Sequence, residues 1–171
     1  MIRNILIHPD PRLKKVCEPV RDITPEVKAL AADMLEPMYV APGIGLAAPQ
    51  VGAMIRLLVM DCIKDGPAEP MVLINPELVW ASEDVSIFEE GCLSLPEQYA
   101  EVKRPSIVTV RWMDLDGAPQ ERTFDGLWAT CVQHEMDHLD GKLFIDYLGP
   151  MKRQMVLRKL EKVKRERARM G

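Results

Sequence analysis

From residue 55 onward the chain stops spacing its apolar residues in threes and fours and groups them in short blocks. These are IRLLVMDC (55–62), MVLINPELVWA (71–81), VSIF (85–88), SIVTVRWMDLDG (106–117) and PQERTF (119–124), broken by Gly, Pro and Asp-Gly. Blocks of this length, rich in β-branched and aromatic residues and bounded by turn formers, predict strands. The stretch VRWMDLDGAPQERTF predicts a hairpin that turns at Asp116-Gly117.

On either side of this region the period is helical. Thr24 is placed to cap a helix whose first position suits Pro25, and Val27, Leu30, Ala31, Met34, Leu35 and Met38 fall on one face. A helix is predicted from about Pro25 to Tyr39, with a kink or an early end at Pro37, which removes a helical donor. Two more are predicted, from about Asp125 to His138 and from about Pro150 to Arg169. Helix, strands, helix, helix fits an α+β fold better than alternating βαβ units. With 171 residues, 47% hydrophobic content, no repeat and no linker, one domain over 1–171 is expected.

No apolar run approaches the roughly 20 residues that cross a bilayer. The start, MIRNILIHPDPRLKK, lacks the pattern of a secretion signal, so a cytoplasmic location is expected. The net charge of −4 conceals an asymmetry. Residues 151–171 hold nine Lys/Arg and two Glu, a charge of +7, and the remainder carries −11. An acidic body with a basic terminal helix is the result.

Two of the three histidines lie in QHEMDH (133–138). On a helix, His134 and His138 are one turn apart on one face, so both imidazoles reach one divalent ion while Glu135 projects beside it. That arrangement suits activation of a water, with the carboxylate taking its proton. A solvated HEMDH is the alternative reading. The apolar residues around it, Leu127, Trp128, Cys131, Val132, Leu139, Leu143 and Phe144, argue for burial. A catalytic site needs a third protein ligand, and no histidine follows His138. Cys92, in EEGCLSLP, is the candidate, expected on an irregular loop with its thiolate turned inward; an inert buried thiol is the competing reading. Cys17, Cys62 and Cys131 are expected to be small buried apolar residues, because no CxxC pair or secretion signal points to disulfides. PGIGLAAPQVG (42–52) is a weak signal alone and lacks the register of a phosphate-binding glycine loop.

Taken together and in this order, GIGLAAPQ, EGCLS and QHEMDH closely resemble the three signature motifs of the peptide deformylases. The resemblance extends to HPDPRL (8–13), INP (74–76) and HLDGKLFIDYL (138–148), and so covers essentially the whole chain. It implies a single domain of antiparallel or mixed sheets around a central metal-binding helix, with N-terminal and C-terminal helices. It implies Cys92, His134 and His138 as metal ligands and Glu135 as general acid/base. Gln50 and the backbone N–H of Leu93 would stabilise charge on the formyl oxygen.

The implied reaction removes formyl from the N-terminal formylmethionine of nascent chains. Gly45 would offer backbone hydrogen bonds to the peptide, with Glu90 and Gly91 beside it. Phe88, Leu127, Thr130 and Cys131 are candidates for the methionine pocket. Tyr99 stands where some relatives carry arginine, and Arg104 is a candidate for the pocket rim. Such enzymes use Fe2+, with Ni2+, Co2+ or Zn2+ able to substitute. The terminal helix of long bacterial members suggests docking near the ribosomal exit tunnel, and a +7 segment is drawn to RNA phosphate. DNA and membrane partners are not expected, and a monomer is. The rival readings are a zinc endopeptidase and an RNA-binding module with a structural metal.

Overall fold

The computed structural model describes residues 3–170. Helix α1 (Pro25–Val40) is followed by β1 (Gly45–Ala47), β2 (Leu57–Met60), β3 (Met71–Ala81), β4 (Val85–Cys92), β5 (Leu95–Pro105), β6 (Ile107–Met113) and β7 (Pro119–Asp125). Then come α2 (Gly126–Leu139) and α3 (Pro150–Met170). Five strands form one sheet in the order β1-β2-β3-β6-β7, and β4 pairs with β5 in a separate ribbon. All of these pairings are antiparallel.

Helix α2 is central. One flank packs on the large sheet through Cys131, Val132 and Leu139 against Leu58, Met60, Leu73 and Val110. Helix α1 covers the opposite face, setting Leu30, Ala31, Met34 and Met38 against Leu57, Val59 and Ile74. With both faces covered, all four residues of β2 are buried, which is why LLVM reads as a continuous apolar run. The third apolar cluster joins Leu95 and Val102 of β5 to Phe144, Ile145 and, from α3, Val156 and Leu160.

The Thr24 cap forms, its hydroxyl accepting the Val27 N–H at 3.3 Å. Helix α1 continues through Pro37 to Val40, with Pro37 in the last turn, where the Ala41 N–H closes on its carbonyl at 3.1 Å. The hairpin at Asp116-Gly117 also forms, Asp114 accepting the N–H groups of Asp116 and Ala118. In β3 the register slips between Ile74 and Glu77, and Asn75 takes a φ of 53°. Its amide bonds both backbone groups of Val20 at 2.8 Å, tying the N-terminal segment to the sheet.

Two expectations are corrected. Residues 95–105 form a full strand, β5, although no apolar alternation announces it: the inward positions include Gln98 and Arg104. Cys92 therefore ends strand β4, at the tip of the ribbon, and is not on an irregular loop. In α3, Met151 and Met155 stand in solvent, and the buried stripe is Val156 and Leu160, four residues apart on a neighbouring face.

Candidate metal centre and active site

Helix α2 turns His134, Glu135 and His138 toward the tip of the ribbon, where Cys92 meets them. All three side chains of α2 are buried. The thiol of Cys92 is 3.4 Å from Nε2 of His138, and the potential ligand atoms of Cys92, His134 and His138 all lie within 4.8 Å of one another. Bonds of about 2.3 Å to sulfur and 2.0–2.1 Å to nitrogen at a tetrahedral ion put S and N roughly 3.5 Å apart. The observed spacing fits one ion. Glu135 places Oε1 3.8 Å from Nε2 of both histidines, and its Oε2 is buried with no hydrogen-bond partner among the described residues. A buried carboxylate oxygen left unpaired is costly unless something polar approaches it.

The ring of His134 is oriented from behind. Its Nδ1 lies 2.9 Å from Oε1 of Glu90, which directs Nε2 to the centre. Arg104 grips the same carboxylate with two bonds, at 2.7 and 3.0 Å, and reaches Asp137 at 2.8 Å. The sequence reading put Glu90 with the substrate contacts and Arg104 at the rim; both are buried, and both oxygens of Glu90 face His134 and Arg104. The only sequence signal for this pair is a charge at inward-facing positions of the ribbon.

Gln50 sits in a 3-10 turn, Ala48–Val51, that packs its amide into the site. Its carbonyl accepts the Ala47 N–H at 2.9 Å, and its NH2 points to Ser94 Oγ at 3.0 Å and Cys92 Sγ at 3.5 Å. Ser94 is a contact that the sequence reading missed. Gly45 lies so close to α2 that a Cβ there would be 2.8 Å from both Cys131 Sγ and Glu135 Cγ. Gly91 pairs with Tyr99 across the ribbon and has that ring against it, one residue from Cys92. Leu93 packs toward Gly43 and the α1 side of the core. Leu127 is half-buried, Thr130 and Cys131 are buried on α2, and the half-buried Phe88 faces Val102 across the ribbon.

Burial pushes the Glu135 carboxyl up to about 7, partly relieved by His134. Burial also pushes His138 well down, helped by the charges of His134 and Arg104, so its imidazole is neutral. For His134 burial acts downward, but Glu135, Cys92 and Glu90 more than offset it and the imidazole holds a proton well above its usual range. The neighbouring Cys62 thiol and burial keep the Cys131 thiol protonated, and it donates to the Ile44 carbonyl at 3.6 Å.

Two imidazoles and a thiol converging beside a buried carboxylate, on a helix held between two antiparallel sheets, define a metal-dependent hydrolase of the HExxH kind. The polypeptide deformylase family profile matches residues 2–154. The chain is 57% identical over 162 residues to the peptide deformylase of Afipia carboxidovorans, covering 94% of this chain and 95% of that one. Its fold matches the peptide deformylase of Legionella pneumophila with a TM-score of 0.94, 48% identity and 99% of each chain covered. The Ehrlichia chaffeensis peptide deformylase crystallised with actinonin matches with a TM-score of 0.89 and 35% identity, covering 96% of this chain and 97% of that one. The chain belongs to the polypeptide deformylase family. It is a metal-dependent hydrolase that removes the formyl group from the N-terminal formylmethionine of nascent polypeptides.

Proposed function

We propose that Cys92, His134 and His138 hold a ferrous ion, for which Ni2+, Co2+ or Zn2+ can substitute, and that Glu135 moves the proton in formyl hydrolysis. The observation that carries this reading is the meeting of three ligand atoms within 4.8 Å, with a carboxylate oxygen 3.8 Å from both imidazole Nε2 atoms. When bound, the ion supplies Lewis acidity that makes a water a nucleophile at neutral pH. Glu135 takes that water's proton and passes it to the leaving amine, so the products are formate and a free N-terminus. A carboxyl raised by burial suits both halves of that transfer.

Gln50 and the Leu93 N–H are assigned to the formyl oxygen, where donors aimed at developing charge are worth a few kcal/mol. Gly45 and Gly91 line the path of the extended peptide with accessible backbone, and Phe88, Leu127, Thr130 and Cys131 surround the methionine side chain. A thiolate with two imidazoles is a donor set that suits both ferrous iron and zinc. One catalytic domain spans 1–171, ends in a basic helix and works as a cytoplasmic monomer. None of the described helices is long and apolar enough to cross a membrane. Helix α3 is assigned to docking near the ribosomal exit tunnel, on the strength of its positive charge.

The test separates ligand from donor. Cys92→Ser removes metal and turnover together, whereas Gln50→Ala keeps one metal per chain and loses roughly 10²-fold or more in kcat. Loss of metal from Gln50→Ala with unchanged turnover per bound ion would overturn the assignment of Gln50.

A further inference from the structure

Behind His134 the polar contacts do not stop at Glu90. Arg104 is 4% exposed, and its charge is divided between Glu90 and Asp137. Its guanidinium also lies over the Tyr147 ring, 4.8 Å from the centroid. The Tyr147 hydroxyl donates to the same oxygen of Asp137 that receives Arg104, at 2.7 Å. Tyr147 thus touches Arg104 twice, once by its face and once through Asp137. It comes from the 3-10 turn Phe144–Tyr147, anchored by the buried Phe144 and Ile145, and Phe144 stacks near His134 with centroids 6.3 Å apart.

The two imidazoles are held unequally. His134 has a charged partner at Nδ1, whereas Nδ1 of His138 is buried with no hydrogen-bond partner among the described residues. Orientation of the ligand pair by polar contacts therefore rests on the Glu90 side. Three rotatable bonds set the carboxylate of Glu90, which would leave His134 loosely aimed unless Arg104 fixed it. Arg104 lies on an extended strand of the ribbon, and a long side chain of this kind is fixed only by the groups at its end.

We propose that Asp137 and Tyr147 are positioning residues for the metal centre, acting through Arg104 and Glu90 on the ring of His134. This rests on the reading of Cys92, His134 and His138 as the ligand set. The arrangement couples the turn after α2 to the active site: the turn bearing Tyr147 clamps Arg104, and the clamp sets the angle at which His134 presents Nε2. Partners one shell further out than Glu90 have smaller effects than the 10–100-fold typical of groups bonded directly to a ligand.

The experiment uses the full chain loaded with Co2+, with three readouts: metal affinity by competition with a chelator, the Co2+ absorption bands, and formate release. Tyr147→Phe keeps the stacked ring and removes one hydrogen bond; Asp137→Asn keeps an acceptor and removes the charge. Both variants are expected to weaken metal affinity by roughly 3- to 10-fold, shift the ligand-field bands and lower kcat with little change in KM. In a Glu90→Gln background, Tyr147→Phe is expected to add nothing, because the path to His134 is already cut.

A purely structural role would lower the melting temperature of the metal-free variants and leave the bands and affinity of the folded fraction at wild-type values. That result, or full additivity with Glu90→Gln, overturns the proposal. Absence of a thiolate-to-Co2+ band in the wild-type protein would instead overturn the ligand set, and the proposal with it.

Discussion

At the scale of the residue, the chemistry depends on bringing the half-buried Cys92 together with two buried imidazoles and a buried carboxylate, the surroundings pushing His134 toward its protonated form and His138 away from it. His134 is the sensitive member. Its Nδ1 is committed to Glu90, so a proton and an ion compete for Nε2, and the raised affinity for the proton makes metal binding pH-dependent. Metal affinity is therefore expected to fall as pH drops from 8 to 6 and protons to be released on binding, which titration in buffers of differing ionisation enthalpy measures. Affinity that is flat over this range would contradict the account. Gln50→Ala carries a second cost at this scale: the buried Ala47 N–H loses its acceptor, a loss of about 1–3 kcal/mol in unfolding free energy. His134 and His138 were legible because helical spacing alone puts them on one face, with Glu135 projecting beside them. Glu90 and Arg104 were not, since an inward-facing charge is recognised only once its strand and its partner are known.

At the scale of the element, the close approach of β1 to α2 sets the geometry. Gly45→Ala would drive a methyl into Cys131 and Glu135, so turnover is expected to fall by more than tenfold through displacement of Glu135, with the overall fold retained. Unchanged kcat in that variant would contradict the packing described. The 61–69 loop beside β1 is organised by Asp61, which accepts the N–H groups of Ile63 and Glu69 and, at 2.6 Å, the Tyr39 hydroxyl. Partial burial and that carboxylate push the Tyr39 hydroxyl up to about 12, above its ordinary value near 10. A raised pKa favours the protonated folded form, so its contribution is intact below pH 10 and lost as pH rises from 10 to 12. Urea midpoints across this range should decline more steeply for the wild type than for Tyr39→Phe, and parallel curves would refute the coupling.

Helices α1, α2 and α3 were readable to within one residue at either end, α1 because its Thr24 cap and helical period agree, and α2 and α3 without a side-chain cap to mark their starts. Strand β5 was hidden, because Gln98 and Arg104 occupy positions where alternation calls for apolar side chains. Its partner strand was consequently cut short at Phe88, which left Cys92 looking like a loop residue.

At the scale of the molecule, charge is segregated: the acidic body holds the site, and α3 carries most of the basic excess on exposed positions. Val156 and Leu160 of that helix are buried and Lys164 is tied to the His8 carbonyl at 3.1 Å, while most of its other basic side chains stand in solvent. Replacing the exposed Lys159, Lys162, Arg165 and Arg169 by Gln is expected to abolish salt-sensitive co-sedimentation with ribosomes while leaving tripeptide turnover unchanged. Co-sedimentation that survives these changes would remove α3 as the docking element. Hydrolysis is a property of the whole assembly of sheet, ribbon and helix. It is tested most directly by formate release from a formyl-Met tripeptide, using protein prepared without oxygen and loaded with Fe2+, alongside Glu135→Gln. The account predicts metal-dependent formate from the wild type and essentially none from the variant at equal metal content; no formate from the metal-loaded wild type, or full activity in Glu135→Gln, would contradict it.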